Sequence, residues 1–418
     1  MSLHNPSAMP AHDAAPPLVL IIDDEDQTAF SEVLQDLGVD AMYLPPDELE
    51  ESILRQATTV VVDQYLDDWP GRNQDSVPIA LKVPDGLSLT SVLRSRVEGS
   101  GDRQGPPPSA VAFVLRTGEV DKIGAGLPSA ARQHLLASQY NLEWVFDKSS
   151  VRSGETPSTA QRVAELALAT ARLPSDWSAG TGDPGLRWLG LPTTAWAEDA
   201  CWQVEQCRPP QHVVAQRTAG RAWLRWFLQR VLPYPTFLID IQKVAVMLGV
   251  TVDAAEEVLS SASRLSQMIG ATQYQGPLMS FMGRRWWRAG VSYVVEQLLG
   301  EFDLEDDHDL EAVAAAASSI HGRRLERVSV IDPVLEVQSD YSIAPDPISA
   351  LDAVRLQPDD WPPYADEAWA GRSRLDGEDP ELLALVVSSD RWRLHSSELK
   401  GDSLGQENGI DAAMGGGR

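Results

Sequence analysis

The sequence predicts an α/β domain built on a doubly wound parallel sheet, followed by a mostly helical C-terminal region. Three observations lead there. Apolar runs of strand length alternate with helical patterns, each run stops abruptly at a polar or charged residue, and beyond residue 187 tryptophans and aliphatics recur at helical spacing. The first run, LVLII (18–22), ends at Asp23-Asp24-Glu25-Asp26 and suits a strand buried on both faces. An amphipathic stretch at 28–38 follows, with Phe30, Val33, Leu34 and Leu37 at helical spacing. AMYL (41–44), a helix at 47–56 and the run TTVVV ending in Asp63 come next. A polar loop at 64–83 interrupts the alternation before Pro84-Asp85-Gly86 opens the helix-like LSLTSVLRSRV. GSGDRQGPPPS breaks the pattern again, ahead of the strand AVAFVLR and Thr117-Gly118. A long helical connection over 119–140 leads to LEWVF and Asp147-Lys148, and 156–173 closes the unit as a last helix. Five strands alternating with five helices match a flavodoxin-like five-stranded sheet.

The 418 residues are too many for one ordinary domain. A Pro-rich leader at 1–16 precedes the α/β domain at 17–173. A Gly/Pro/Asp/Ser-rich linker at 174–186 leads to the helical region at 187–300, an acidic mixed region of unknown fold at 301–400 and a flexible tail at 401–418. Sixty-one acidic against 34 basic side chains give a net charge of −27, which disfavours attraction to phosphate backbones or anionic lipid. Only residues 201–300 carry more basic than acidic groups. Cys201 and Cys207 are too few for a disulfide framework or a thiolate zinc site. No secretory pattern opens the chain and no apolar stretch nears the roughly 20 residues that span a bilayer. The expectation is a cytoplasmic protein without membrane contact.

Ligands of open α/β sheets bind beyond the carboxyl ends of the strands. Strand one ends in Asp23 and Asp24, strand three in Asp63, strand four in Thr117 and strand five in Lys148. With strand order 2-1-3-4-5 these side chains converge on one edge. Packed carboxylates repel one another unless a cation neutralises them, and Mg²⁺ accepts such oxygens together with waters and phosphate. Asp63 could then act as nucleophile toward a phosphoryl donor, with the Thr117 hydroxyl and Lys148 ammonium on the phosphoryl oxygens.

This constellation resembles the receiver domain of two-component response regulators, over roughly 18–173. The resemblance implies the acidic pair Asp23-Asp24, the phosphoacceptor Asp63, and Thr117 and Lys148 as its partners. It further implies that the carbonyl of Tyr65, two residues past the phosphoacceptor, completes the Mg²⁺ shell. Asp85-Gly86-Leu87 is similar to the turn that opens the third receiver helix. The implied partner is a histidine kinase or another phosphodonor, and the implied chemistry is regulatory, with autophosphatase activity at most. Receivers often pair through their fourth and fifth helices, which are partly remodelled here, so the resemblance leaves a homodimer possible and the oligomeric state open. Three departures stand out: long loops after Asp63 and Thr117, Ser149 where the family has proline, and Val145 between Trp144 and Phe146 where an aromatic switch residue is expected.

In the middle region IDIQKVAVMLGVTVDAAEEVL (239–259) resembles a helix-turn-helix, with Ala245 and Gly249 four apart and RTAGRAWLRWFLQRVL (217–232) as its first helix. Its second helix would present Asp253, Glu256 and Glu257, which repel phosphate. DNA binding through 217–290, with Arg284, Arg285 and Arg288 on phosphates, is therefore the rival to a protein-contact output. A second rival is a pseudo-receiver scaffold that never takes phosphate. His4, His12, His134, His212, His308, His321 and His395 lack ligand spacing, no P-loop is present, and Leu304 to Glu311 lacks the glycine of an EF-hand.

Overall fold

β-Branched and leucine-rich runs with no polar interruption can be accommodated only where both faces are covered, and the runs 18–22, 57–63, 112–117 and 144–147 are covered in this way, whereas 40–44 leaves Met42 exposed. The computed structural model describes residues 15–395 except 68, 70, 71, 73, 76, 84, 100–109, 149–156, 178–182, 211–218, 303–308 and 376–378. The leader, most of the 301–309 acidic turn and the tail therefore lie outside the described residues. In chain order the elements are β1 (Leu18–Ile22), α1 (Thr28–Asp36), β2 (Asp40–Leu44), α2 (Glu51–Leu54), β3 (Ala57–Asp63), α3 (Gly86–Gly99) and β4 (Ala112–Thr117). They continue with α4 (Val120–Ile123), α5 (Arg132–Gln139), β5 (Trp144–Asp147) and α6 (Thr159–Ala171). The strand order is β2-β1-β3-β4-β5, the flavodoxin-like arrangement expected. Val19 to Ile22 and Val60 to Val62 are almost wholly buried.

Local chemistry explains the helix boundaries. Ser158 accepts from the Gln161 amide while the Gln161 side chain accepts from Ser158, a reciprocal cap that starts α6. The expected long helix over 119–140 is instead two short ones, because Gly124, Gly126 at φ 88° and Pro128 fall between them. The stretch 47–56 likewise contributes a 3-10 turn at Pro46–Glu48 and only one α-turn, α2.

The described residues form two compact units. One runs to Thr117 and resumes at Lys148 to Leu173; the other joins 118–147 to the region from Pro174 onward. In the second unit the Trp-rich segment forms a packed core: Trp144, Trp223, Trp286 and Trp287 are all fully buried. Trp144 meets Phe281 edge-on at 5.0 Å, and Trp287 lies against Phe237 at 5.8 Å. Glu143, fully buried, is neutralised by Arg225 at 2.7 Å. Helices Ile241–Met247 and Val252–Ser260 flank the Leu248-Gly249-Val250 turn, and Gly249 sits at φ 66° where a Cβ would come within 2.4 Å of the Leu310 carbonyl. Asp253, Glu256 and Glu257 are exposed on the second of these helices. Trp286 and Trp287 belong to the core, and Arg288 pairs with Asp366 at 2.8 Å. Among the described residues no helix is long and apolar enough to cross a membrane.

His134 sits in this unit, buried, with Nε2 3.1 Å from the Tyr234 hydroxyl. Burial, aided by the Arg230 charge, pushes its pKa down to about 3. A depressed folded-state pKa means the neutral ring's contribution is complete above the unfolded value, about 6.5, and is lost as pH falls toward 3. Urea unfolding of His134→Gln should therefore show a shallower loss of stability between pH 6.5 and 3 than the wild type; identical slopes would exclude this role.

Candidate functional site

β1 and β3 are adjacent and parallel, with Ile22 opposite Val62, so Asp23 follows directly beside Asp63. Asp24 comes next in the chain, and carboxylate oxygens of all three acids lie within 4.8 Å of one another. Asp23 is 1% and Asp63 8% exposed, while Asp24 is half-buried. Each buried acid has a backbone donor two residues on. Glu25 N–H donates to Asp23 Oδ1 at 3.0 Å and Tyr65 N–H to Asp63 Oδ2 at 3.2 Å.

Lys148 completes the arrangement. Its ammonium lies 3.0 Å from Asp23 Oδ2 and 2.9 Å from Asp63 Oδ1, bridging the two carboxylates. The Lys148 N–H donates to the Thr117 carbonyl at 2.8 Å, which ties the lysine to the end of β4. Thr117 is fully buried there. Tyr65 is partly exposed and forms an isolated antiparallel bridge with Asp85. Gly86 N–H donates to the Gln64 carbonyl at 2.8 Å, and a Cβ on Gly86 would fall 1.8 Å from the Asp63 carbonyl oxygen. Only glycine lets α3 start this close to the backbone of Asp63. Asp85 accepts from Ser88 N–H at 2.8 Å and so caps the same helix start.

The electrostatics follow from this packing. Burial, reinforced by the Asp63 charge, holds Asp23 above the usual carboxylate range. Burial also raises Asp63, only partly offset by Lys148. For Lys148 burial acts downward, but hydrogen bonds and charges of Asp63 and Asp23 together outweigh it and stabilise the ammonium. A single bridging ammonium leaves three carboxylates undercompensated, and three carboxylates with oxygens this close form a donor set that fits a hard divalent cation such as Mg²⁺.

One buried residue at this edge had not been singled out in the sequence. Arg116 lies opposite Asp63 in the β3–β4 register and is 8% exposed. It donates to Gln27 Oε1 at 2.9 Å, and its guanidinium stands 4.0 Å over the Phe30 ring. The signal was present: it is the one charged side chain in the run AVAFVLR.

No family model, no curated protein and no solved structure matches this chain.

Two substitutions probe the geometry. Lys148→Met strands two buried carboxylates and should cost about 3 kcal/mol in urea unfolding, part of it regained on adding Mg²⁺ or in Lys148→Met/Asp63→Asn. An unchanged midpoint would mean that the bridge contributes nothing. Gly86→Ala must push α3 off Asp63 and should cost about 2 kcal/mol by the same measurement, whereas Gly99→Ala, with nothing near its Cβ, should not.

Proposed function

We propose that the first unit is a receiver-like phosphoacceptor in a cytoplasmic signalling protein, with Asp63 as the residue that takes the phosphoryl group. The observation that carries this reading is the convergence of Asp23, Asp24, Asp63 and Lys148 at one edge of a flavodoxin-like sheet. A carboxylate oxygen of Asp63 attacks the phosphorus of a donor, which is a histidine phosphorylated on a kinase or a small acyl phosphate. The bond from phosphorus to the donor breaks, the donor keeps that electron pair, and an acyl phosphate remains on Asp63. Asp23, Asp24, Asp63 and the Tyr65 carbonyl would hold Mg²⁺, which offsets the charge that develops on the phosphoryl oxygens. Lys148 and the Thr117 hydroxyl bind those oxygens, and Lys148 exchanges a carboxylate contact for a phosphoryl contact. Any further chemistry is return of the phosphoryl group to water.

The output in this reading is a protein contact made by the second unit. The acidic exposed face of Val252–Ser260 and the burial of Trp286 and Trp287 disfavour DNA as that partner. One observation favours the second reading, a scaffold that takes no phosphate: Lys148 already spans Asp23 and Asp63 and neutralises part of the charge a metal would meet.

Incubating the full chain with Mg²⁺ and acetyl phosphate, read by intact mass, separates the two. The phosphoacceptor reading expects one phosphoryl group on the wild type and none on Asp63→Asn. Labelling that survives this substitution, or no labelling of the wild type by acetyl phosphate or beryllofluoride, would overturn it.

A further inference from the structure

We infer that Arg116 is a fixed counter-cation of the carboxylate pocket that weakens its hold on a divalent ion; this rests on the proposed reading of Asp23, Asp24 and Asp63 as a metal-binding set. The argument begins with register. Asp63 pairs with Arg116 across β3 and β4, while Ile22 pairs with Val62 across β1 and β3. Asp23, Asp63 and Arg116 thus stand in one row across three neighbouring parallel strands. Paired residues of a parallel ladder project to the same face of the sheet, so a guanidinium is built into the same row as the two most buried acids.

The side chain is held there by neutral groups. Gln27 accepts one hydrogen bond and Phe30 offers its ring face, both just beyond the acidic run 23–26. Nε of Arg116 has no hydrogen-bond partner among the described residues, and no carboxylate there lies within ion-pair distance of the guanidinium. A buried cation lacking a contact partner is costly, so its compensation has to come from charges farther away. Burial indeed works against the charged form, and Asp23, Asp63 and Glu25 are the groups that oppose it. Arg116 and the pocket therefore stabilise one another at a distance, whereas Lys148 does so by direct contact.

The consequence concerns the metal. Three carboxylates alone would attract a divalent ion strongly. With Lys148 and Arg116 in place, the ion meets a pocket two-thirds neutralised and feels repulsion from both cations. Charges separated by a few residue widths in a partly buried site change affinity by about tenfold. In this view the pocket is tuned to bind its divalent ion weakly.

The test is Mn²⁺ binding to the full chain, with free Mn²⁺ counted by electron paramagnetic resonance. Arg116→Gln keeps a donor for Gln27 but removes the charge, and should bind Mn²⁺ about tenfold tighter than the wild type. Arg116→Lys keeps the charge and should bind as the wild type does. Equal or weaker binding by Arg116→Gln would overturn the inference. If that variant loses its native circular dichroism, Arg116→Met replaces it. Failure of both neutral variants to fold, unrelieved by Mn²⁺, would assign Arg116 to stability alone and also overturn it. Tighter Mn²⁺ binding in a protein that acetyl phosphate never labels would keep this inference while removing the phosphoacceptor reading. Absence of a saturable Mn²⁺ site in every variant, with Asp63 still labelled, would do the reverse.

Discussion

Two carboxylates buried side by side at the end of a parallel sheet set the terms for everything around them. Asp23 and Asp63 are both almost inaccessible, and neighbouring parallel strands leave them no room to separate. Each is given a backbone N–H, and both share one ammonium. The lysine is in turn anchored by its backbone N–H, which donates to the Thr117 carbonyl, and α3 approaches only because residue 86 has no side chain. Loss of the Lys148 ammonium would leave two buried carboxylates uncompensated, a costly defect. A site kept under that strain does little for stability.

The charge arithmetic also accounts for what was legible in the sequence. Apolar runs ending in Asp23, Asp63, Thr117 and Lys148 give both the sheet and the edge where the carboxylates converge, because strand ends of an open α/β fold share one edge. The convergence of the acidic residues and Lys148 was legible from position alone. Arg116 was not, since a charged residue inside a strand resembles an edge or bulge until the register shows which neighbour it faces. The connection from 119 to 140 was misjudged for a different reason. Its apolar spacing fits one helix, yet Gly124, Gly126 and Pro128 break the backbone whatever the side chains prefer.

The second unit was harder to anticipate because its cohesion comes from contacts distant in sequence. Glu143 is satisfied by Arg225, Gln229 donates to the Leu142 carbonyl at 2.7 Å, and His134 meets Tyr234. Periodicity gives no hint of such pairs. Each joins 118–147 to residues some eighty to a hundred positions later, which is why these residues cluster with the C-terminal region although their pattern reads as the continuation of a βα alternation. The Trp-Arg run at 284–288 is ambiguous by composition in the same way. Burial resolves it as core tryptophans, with Arg285 and Arg288 bound to carbonyls and Arg288 also to Asp366.

The same contacts hold the side chains of β5 in place. Val145 stands where the receiver pattern expects a switching aromatic, and it is flanked by Trp144 and Phe146. All three are buried, and both rings pack edge-on against Phe281, at 5.0 and 6.1 Å. Rotating either ring would open a cavity and lose its aromatic contact, at a cost of several kcal/mol that a hydrogen bond gained at Thr117 would not repay. Lys148, by contrast, holds its carboxylates through contacts that a new phosphoryl oxygen can replace one for one. In the proposed reading, a phosphoryl group on Asp63 redistributes charge around Lys148 and the backbone that carries it. The packing that holds the aromatic core together opposes side-chain rotation at Trp144 and Phe146.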